Sequence, residues 1–487
     1  MTVDLNRCRP LDVHKWSEHS EVNQFLTSIY SAIEETTSLT NTERRLAKVV
    51  ILDLFVCWKT DPLMVLMFSR DNNAYRSRSR YSSLHIGKKV IGLVDTLVEL
   101  GFVHQKKGFQ DRVSGSAFRS RLWATPLLIS LFEGAEISQF AIGDHAGREV
   151  IILRDEDKSD TDYNDTEATA RSRHIIQRYN ELLARTHIDI HTLEGATILV
   201  GKGRKQKRLA IGQHAKFVRR IYSNSSLIQG GRFYGGWWQQ CPKEQREFIF
   251  IDGIYTSEID YSGIHLVLMY ANIEIDYWDE INSDPYEIPA PAWCPPNLDL
   301  RSAAKRLLLT AINAADEAKA FKAFRDGAAS GSDEKKLTNA QLGELLASLK
   351  SKHPKVADQL ASGVGIFLMN TESAITEKII EHFVDLDVPV LTIHDSYIVP
   401  LGYEYELEDV MNSAFEVVTG LPNARFDSVG ELPHEVHEVP GYEPPETTQR
   451  HINSLAAFRQ FHGLPDTPAW YEGAVERLHA RGIVDLI

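Results

Sequence analysis

The sequence predicts an α+β fold divided into more than one domain. At 487 residues the chain is longer than a single hydrophobic core usually organises, so two or three domains are expected. Two short β segments carry tight turns, one at Asp252-Gly253 and one at His394-Asp395. Between them, apolar periodicity is mostly helical as far as about residue 385. Short antiparallel strands separated by runs of helices are typical of the α+β class.

The composition indicates a soluble globular protein, because 43% of the residues are apolar and 25% are charged. No uninterrupted apolar run approaches the roughly 18 residues of a membrane span. Residues 1–10 lack the apolar core of a secretion signal. The cysteines are scattered without C-x-x-C spacing: Cys8, Cys57, Cys241 and Cys294. This pattern argues against a zinc site or a disulfide framework and predicts a cytoplasmic protein with no membrane partner.

The net charge of −14 hides two basic stretches. One contains Lys202, Arg204, Lys205, Lys207, Arg208, Lys216, Arg219 and Arg220. The other contains Arg70, Arg76, Arg78, Arg80, Lys88 and Lys89. Phosphate binding depends on local charge and not on the total, so the stretches are compatible with nucleic-acid binding. A solvated protein face is the other interpretation, and composition alone leaves both open.

The first 154 residues have a pattern similar to a winged helix. Helices are predicted over 42–59 and 82–100, the second ending at Gly101, where a left-handed residue is expected. Strands over 102–107 and 119–125 would form the hairpin, or wing, with Lys106, Lys107 and Arg112 able to contact phosphate. A wing used only for packing or protein contact is the alternative. The acidic segment 155–167 then predicts a linker or exposed loop.

Two aspartates are candidates for metal-dependent phosphoryl transfer. That chemistry uses two divalent cations about 4 Å apart, held by carboxylates. Asp260 ends a predicted strand over 256–259, and Asp395 lies in the turn of the second hairpin. Mg²⁺ binds through a couple of carboxylates plus substrate phosphates, which suits such a pair. A strand-end Asp is most often only a turn or cap residue, so the surrounding sequence has to decide.

Four segments in chain order resemble the motifs of family A DNA polymerases. Residues 260–265, Asp-Tyr-Ser-Gly-Ile-His, are similar to motif A, and 301–310, with Arg301 and Lys305, to the motif B helix. Residues 393–396, Ile-His-Asp-Ser, are similar to motif C, which reads His-Asp-Ser in phage single-subunit RNA polymerases. Residues 231–246 are similar to the Gly-Arg stretch, Asn-Ile-Pro segment and following Arg of the family.

The resemblance implies a role for each matching residue. Asp260, Asp395 and the Tyr261 carbonyl would hold two Mg²⁺ ions, with Mn²⁺ as an alternative. The residues implied at the nucleotide are Arg301, Lys305, Leu309, Asn313 and His265. The residues implied or suggested at the nucleic acid are Arg232, Arg246, His394, Asn370, Lys205, Lys207, Arg208, Arg219 and Arg220. For Asn370 a helix N-terminal polar residue is an equal alternative.

The resemblance also implies a domain plan, that of a right-hand polymerase. A mainly helical, winged-helix-like nucleic-acid-binding region spans 1–154 and the acidic linker 155–167. A helical, thumb-like basic connector covers 168–230, a palm with a small antiparallel sheet and trimmed helical fingers cover 231–430, and an extension covers 431–487. The expected partners are a DNA template, a primer and nucleoside triphosphates. No Asp-x-Glu nuclease pattern precedes the palm, so no proofreading is expected.

The choice of sugar stays open at this stage. His265 replaces the Glu of motif A, and its bulk favours deoxynucleotides. Asn313 replaces an aromatic residue, while Ser396 and Asp284-Pro-Tyr286 favour the RNA enzymes. DNA synthesis is preferred, with a phage-type RNA polymerase or primase as the alternative. A catalytically inactive winged-helix nucleic-acid-binding protein is the alternative from another class.

Overall fold

The computed structural model describes residues 3–75, 79–82, 84, 86–110, 117–201, 206–428 and 445–480. Small sheets alternate with many helices, which is the predicted α+β fold. Within these residues no helix has both the length and the apolar character needed to cross a membrane.

The N-terminal region forms one small sheet covered by helices. Its elements are β1 (Cys8–Pro10), β2 (Lys15–Trp16), α1 (Ser20–Glu34), α2 (Asn41–Thr60), β3 (Val65–Phe68), α3 (Lys89–Glu99), β4 (Val103–Lys106), β5 (Phe109–Gln110), β6 (Ala117–Phe118), β7 (Ser120–Ala124), α4 (Pro126–Gly134) and β8 (Gly143–Asp144). The main sheet has the strand order β1-β3-β7-β4. A capping box between Thr40 and Glu43 starts α2, since each side chain bonds the backbone of the other.

The predicted second helix is shorter than expected. It begins at Lys89 instead of residue 82, because Leu84 and Ile86 are buried in the core from the segment that precedes the helix. The predicted left-handed stop at Gly101 is confirmed by its φ of +77°. Strands β4 and β7 pair antiparallel as predicted. Arg112 of the expected wing lies outside the described residues, and the winged-helix interpretation stays a prediction.

The rest of the chain, here called the body, contains the remaining elements. They are β9 (Ile151–Arg154), β10 (Asp160–Thr161), α5 (Glu167–Ala184), β11 (Ile188–Ile190), β12 (Thr197–Val200), β13 (Lys207–Ala210), β14 (Arg219–Ser223), β15 (Ser226–Tyr234), α6 (Lys243–Arg246), β16 (Ile249–Ile251), β17 (Thr256–Tyr261), α7 (Ile264–Ala271), α8 (Tyr277–Glu280), α9 (Leu300–Asn313), α10 (Glu317–Gly327), α11 (Asp333–Lys336), α12 (Asn339–Lys352), α13 (Gly365–Asp385), β18 (Leu391–Ile393), β19 (Ser396–Pro400), α14 (Glu404–Thr419), β20 (Phe426–Ser428), α15 (Gln449–His462) and α16 (Tyr471–Ala480). Separate hydrophobic cores form within residues 22–142 and within residues 150–474.

Expectations about segments 155–167 and 168–230 need correction, since both segments lie within the range of the second core. The acidic segment 155–167 is exposed, as predicted for a loop, but it is the β9–β10 turn, β10 and a loop instead of a linker, and Asp165 forms ion pairs with Arg80 and Arg173. Among the described residues, segment 168–230 is not mainly helical, because α5 is followed by β11 to β15. The run Thr197–Val200, for example, which begins with two β-branched residues, pairs as a strand with Lys207–Ala210.

One four-stranded antiparallel sheet of the body, here called the aspartate sheet, has the order β18-β19-β17-β20. The turn at Asp252-Gly253 is confirmed by φ values of +52° and +87°, but its two flanking strands separate. Strand β16 pairs with β11, whereas β17 enters the aspartate sheet. The long helix α13 packs against β15, α5 and α14 and brings its buried polar side chains toward the end of this sheet.

Candidate active site

The aspartate sheet brings Asp260 and Asp395 together. Asp260 on β17 is paired in register with Ser396, the first residue of β19. Asp395 immediately precedes Ser396, and its carbonyl accepts a hydrogen bond of 3.2 Å from the Tyr261 amide. The predicted two-residue turn at 394–395 is confirmed, with His394 in the left-handed region at a φ of +59°. Two carboxylate-bearing residues that are far apart in the sequence therefore adjoin at one end of the sheet.

Both carboxyl groups have perturbed acidities. Burial, followed by the charge of Asp395, raises the pKa of Asp260 to about 8, although Lys305 opposes this rise. Burial and the charge of Glu372 raise the pKa of Asp395. The Oδ1 atom of Asp260 is buried without a hydrogen-bond partner among the described residues. A bound divalent cation would offset the repulsion between the two acidic groups and would give the unpartnered oxygen a partner.

The available ligands fit Mg²⁺ better than a metal ion whose ligands are all protein side chains. Within the described parts of the chain, no group of three or more His, Cys, Asp or Glu side chains could hold an ion. Mg²⁺ usually binds through one or two carboxylates and keeps waters or substrate phosphates as its other ligands. Asp260, Asp395 and the Tyr261 carbonyl match that requirement in chemical type.

Glu258 supports the sheet beside the two aspartates. It is two residues before Asp260 on the same strand, so both side chains project from one face. Arg246 binds Glu258 through two bonds of 2.7 and 2.8 Å, and the Ser396 hydroxyl donates to it at 2.6 Å. The predicted contact of Arg246 with nucleic acid stays a prediction; in this structure its guanidinium is engaged by Glu258 and the side chain is 15% exposed.

A buried cluster, here called the Glu372 cluster, joins Arg232, His265 and Glu372. His265 Nε2 lies 2.8 Å from Glu372 Oε2 and 3.0 Å from an Arg232 nitrogen, and Arg232 also donates to the same carboxylate oxygen. Burial opposes ionisation of Glu372, but the His265 hydrogen bond and the Arg232 charge outweigh it and hold its pKa below the usual range. The other carboxylate oxygen, Oε1, is buried without a described partner.

Glu372 is not among the site residues predicted from the sequence, although Asn370, two residues earlier, is. A charged residue on the buried face of α13 is the signal that could have found it. Asn370 donates to the carbonyls of Gly230 at 3.2 Å and Leu227 at 3.4 Å. Its amide therefore links α13 to β15, and the predicted contact with a groove of nucleic acid stays a prediction.

His394 and Tyr234 form an edge of the site. Their rings lie 5.6 Å apart in an edge-to-face arrangement, and the Tyr234 side chain is partly exposed. Burial and the Arg232 charge lower the pKa of His394, which favours the neutral ring. Its Nδ1 atom is buried without a described partner, so the ring retains an unused hydrogen-bonding position.

Helix α9 carries the two cationic side chains predicted to bind the nucleotide, Arg301 and Lys305. The charged groups of Arg301 and Lys305 each lie 5.4 Å from the centre of the Tyr286 ring, a cation–π arrangement. Arg301 Nε also donates to Asp284 at 2.6 Å, and the side chain is 57% exposed. Tyr286, a buried residue that the sequence analysis did not place in the site, thus orients both cations.

A pocket of about 880 Å³ lies along α9 and α10. Lys305, Leu309 and Asn313 line it at a spacing of four residues, which puts them on one helix face. The charge of Lys305 also acts on Asp260, although neither aspartate lines the pocket. Three of the five predicted nucleotide-binding residues therefore line one cavity.

The basic residues of β13 and β14 have different surroundings. Arg220 is only 6% exposed and binds Glu377, Ser172, Ser373 and the Gly231 carbonyl. Its donors are therefore used inside the protein in this structure, and its predicted contact with nucleic acid stays a prediction. Lys207 donates to Gln240 and Arg208 to Thr197, whereas Arg219 has no side-chain partner among the described residues. Lys205 lies outside the described residues.

Comparisons with known proteins add little to this geometry. No protein-family model matches the chain, and no curated protein matches it either. One solved structure, the POL domain of Pol1 from M. smegmatis in complex with DNA primer-template and dNTP, aligns over 84% of this chain and 69% of its own. The identity is 12% and the TM-score is 0.29. At that score the likeness carries no argument about fold or function, and the candidate site depends on its own chemistry.

Proposed function

We propose that the chain is a template-directed nucleotidyl transferase that extends a primer on a DNA template from deoxynucleoside triphosphates, without proofreading. The observation that carries this proposal is the buried pair Asp260 and Asp395, with Lys305 within electrostatic reach of Asp260 and at the edge of a nucleotide-sized pocket. The four sequence motifs supply the reaction class, and the geometry supports the roles of their residues.

Asp260, Asp395 and the Tyr261 carbonyl would hold two Mg²⁺ ions, or Mn²⁺ in their place. When bound, such a pair of ions lowers the pKa of an attacking hydroxyl and stabilises charge on the leaving oxygen. The unpartnered Oδ1 of Asp260 supports this assignment, because a buried carboxylate oxygen without a donor is costly. Glu258 joins β17 to β19 through Ser396 and to α6 through Arg246, and this support needs no contact with substrate.

Helix α9 would bind the triphosphate. Arg301 and Lys305 are one helical turn apart, so both can approach the same anionic group. Tyr286 limits their freedom, which reduces the conformational entropy that binding has to remove. Leu309 and Asn313, further along the same face, would then contact the base of the incoming nucleotide or of the template.

The Glu372 cluster supports a preference for deoxynucleotides. His265 is 8% exposed, and Glu372 and Arg232 hold one of its ring nitrogens. A bulky ring that cannot move aside excludes a 2′-hydroxyl better than a mobile one. Glu372 lies outside motif A but would supply the carboxylate that this segment lacks at position 265.

Primer extension with separate pools of dNTPs and rNTPs tests the proposal. Wild-type protein with Mg²⁺ should extend a primer with dNTPs, and the added sequence should follow the template. Extension with rNTPs alone, or unprimed product, would contradict the sugar preference and favour the RNA polymerase or primase. Tight DNA binding without incorporation from either pool, over a range of primers and templates, would contradict the enzymatic proposal itself.

A further inference from the structure

A second cavity lies between the N-terminal region and the body. It measures about 360 Å³, and residues 9–15 and Arg148 face residues 210–219 across it. Pockets for small ligands typically begin at about 300 Å³, so this one could accept a compact ligand. None of its lining residues belongs to the candidate active site.

Four cationic side chains line this cavity, and three of them form ion pairs with described carboxylates. Three of the cations are matched by carboxylates: Arg9 with Asp53, and Lys15 and Arg148 with Asp12 and Asp144. The fourth cation is Arg219, which forms no ion pair with any described residue. Burial, followed by the charges of Arg148 and Arg154, lowers its pKa, although the charges of Asp12 and Asp160 oppose this. An anion bound at Arg219 would offset the remaining positive charge.

Three of the residues that line the cavity each have a nitrogen atom without a partner. Arg219 Nε, His14 Nδ1 and His214 Nε2 are each buried without a hydrogen-bond partner in the described structure. Burial and the charge of Arg148 lower the pKa of His14 to about 4. Burial and the charge of Lys15 lower the pKa of His214 well below its usual value. Both rings are therefore neutral at neutral pH, and each can place one N–H on the unpartnered atom.

We propose that this cavity binds a phosphate group, with Arg219, His14 and His214 as the donors. A phosphate has several acceptor oxygens and a negative charge, and Arg binds it with charge-assisted hydrogen bonds. The group can come from a nucleic-acid strand or from a free phosphorylated ligand. The site goes beyond the proposed function, since binding at this cavity requires no chemistry at Asp260 or Asp395.

The position of Arg219 connects the cavity to the candidate active site. Arg219 is paired in register with Tyr234 across β14 and β15, and side chains at paired positions project from one face. The Tyr234 ring contacts His394 in the turn that carries Asp395. A nucleic-acid strand that leaves the aspartates along Tyr234 would therefore reach Arg219, which makes a backbone phosphate a suitable occupant.

Calorimetric titration of the full chain with pyrophosphate, in buffer containing EDTA, tests the site. EDTA removes divalent cations, and any probe bound by Arg301 and Lys305 contributes equally for the wild type and for Arg219→Gln, so the difference between the two proteins reports on the cavity. Arg219→Gln should weaken binding by about tenfold or more, as expected for the loss of a charge-assisted hydrogen bond. Arg178→Gln is the matched control, because Arg178 pairs with Asp385, does not line the cavity and is not among the charges that act on Arg219.

A parallel arm measures binding of single-stranded DNA by fluorescence anisotropy as a function of salt. If the occupant is a backbone phosphate, Arg219→Gln should lower the slope of log affinity against log salt by about 0.7, the value for one phosphate contact on a single strand. A change with pyrophosphate alone identifies a free phosphorylated ligand.

Circular dichroism checks folding, and His14→Phe, which removes a single donor, replaces Arg219→Gln if the latter does not fold. Unchanged affinity in both arms for a folded variant overturns the proposal. Since neither arm requires catalysis, its failure is distinguishable from failure of the proposed function.

Discussion

The substitution Glu372→Gln tests whether the Glu372 cluster controls the choice of sugar. It preserves the shape of a side chain that is 2% exposed and removes the charge to which Arg232 and His265 are bonded. A hydrogen bond to a charged group contributes about 1.5–3 kcal/mol. Glutamine retains one oxygen acceptor, so we take the lower end, about 1.5 kcal/mol, which corresponds to roughly tenfold.

The assay is single-nucleotide incorporation, with kcat/KM measured for one dNTP and for its rNTP. The ratio of the two should fall about tenfold in Glu372→Gln, because a less firmly held His265 admits a 2′-hydroxyl more readily. Glu381→Gln is the control on the same helix, since Glu381 pairs with Lys378 and does not bond His265. A wild-type ratio in folded Glu372→Gln would refute the reasoning.

Three further predictions test other parts of the structure. Lys305→Ala should lower kcat/KM for the nucleotide by roughly 10- to 100-fold, the value of a lost charge-assisted contact, whereas Lys319→Ala at the far edge of the same pocket should change it little in steady-state kinetics. Burial lowers the pKa of Lys216 to about 7, so above that pH the unfolded state binds more protons than the folded state. The free energy of unfolding should therefore rise between about pH 7 and 10. In thermal melts, Lys216→Met should remove this part of the rise. Glu377→Gln breaks the buried Arg220–Glu377 pair and should lower the free energy of unfolding by up to about 3–5 kcal/mol, measured with urea. The double variant Arg220→Met with Glu377→Leu removes both charges and should lose much less. Equal losses in the two variants would contradict the ion-pair explanation.

The sequence was most informative where function depends on local order. Turn residues and alternating apolar residues placed Asp260 and Asp395 at strand ends, and the strands meet because β17 and β19 pair in register. The spacing of Arg301 and Lys305 likewise put both cations on one helix face. Such features follow from the period of a helix or strand, and no tertiary information is needed to predict them.

Other parts of the site depended on packing that the sequence does not encode locally. The bonds of Glu372 to Arg232 and His265 exist only because α13 packs against β15. Arg219 and Arg220 show the same limit, since neighbours on a strand point to opposite faces. One therefore lines a cavity without a partner, while the other is buried on Glu377.

The most direct test of the central claim is Mg²⁺-dependent nucleotide incorporation by Asp395→Asn, measured with DNA binding by the same protein. The account predicts no detectable incorporation and DNA affinity close to that of the wild type, because asparagine preserves the turn but removes a metal-binding charge. Asp387→Asn is the control, since Asp387 is exposed and forms an ion pair with Arg185 instead of contacting the aspartates. Incorporation at the wild-type rate by Asp395→Asn would contradict the two-metal assignment.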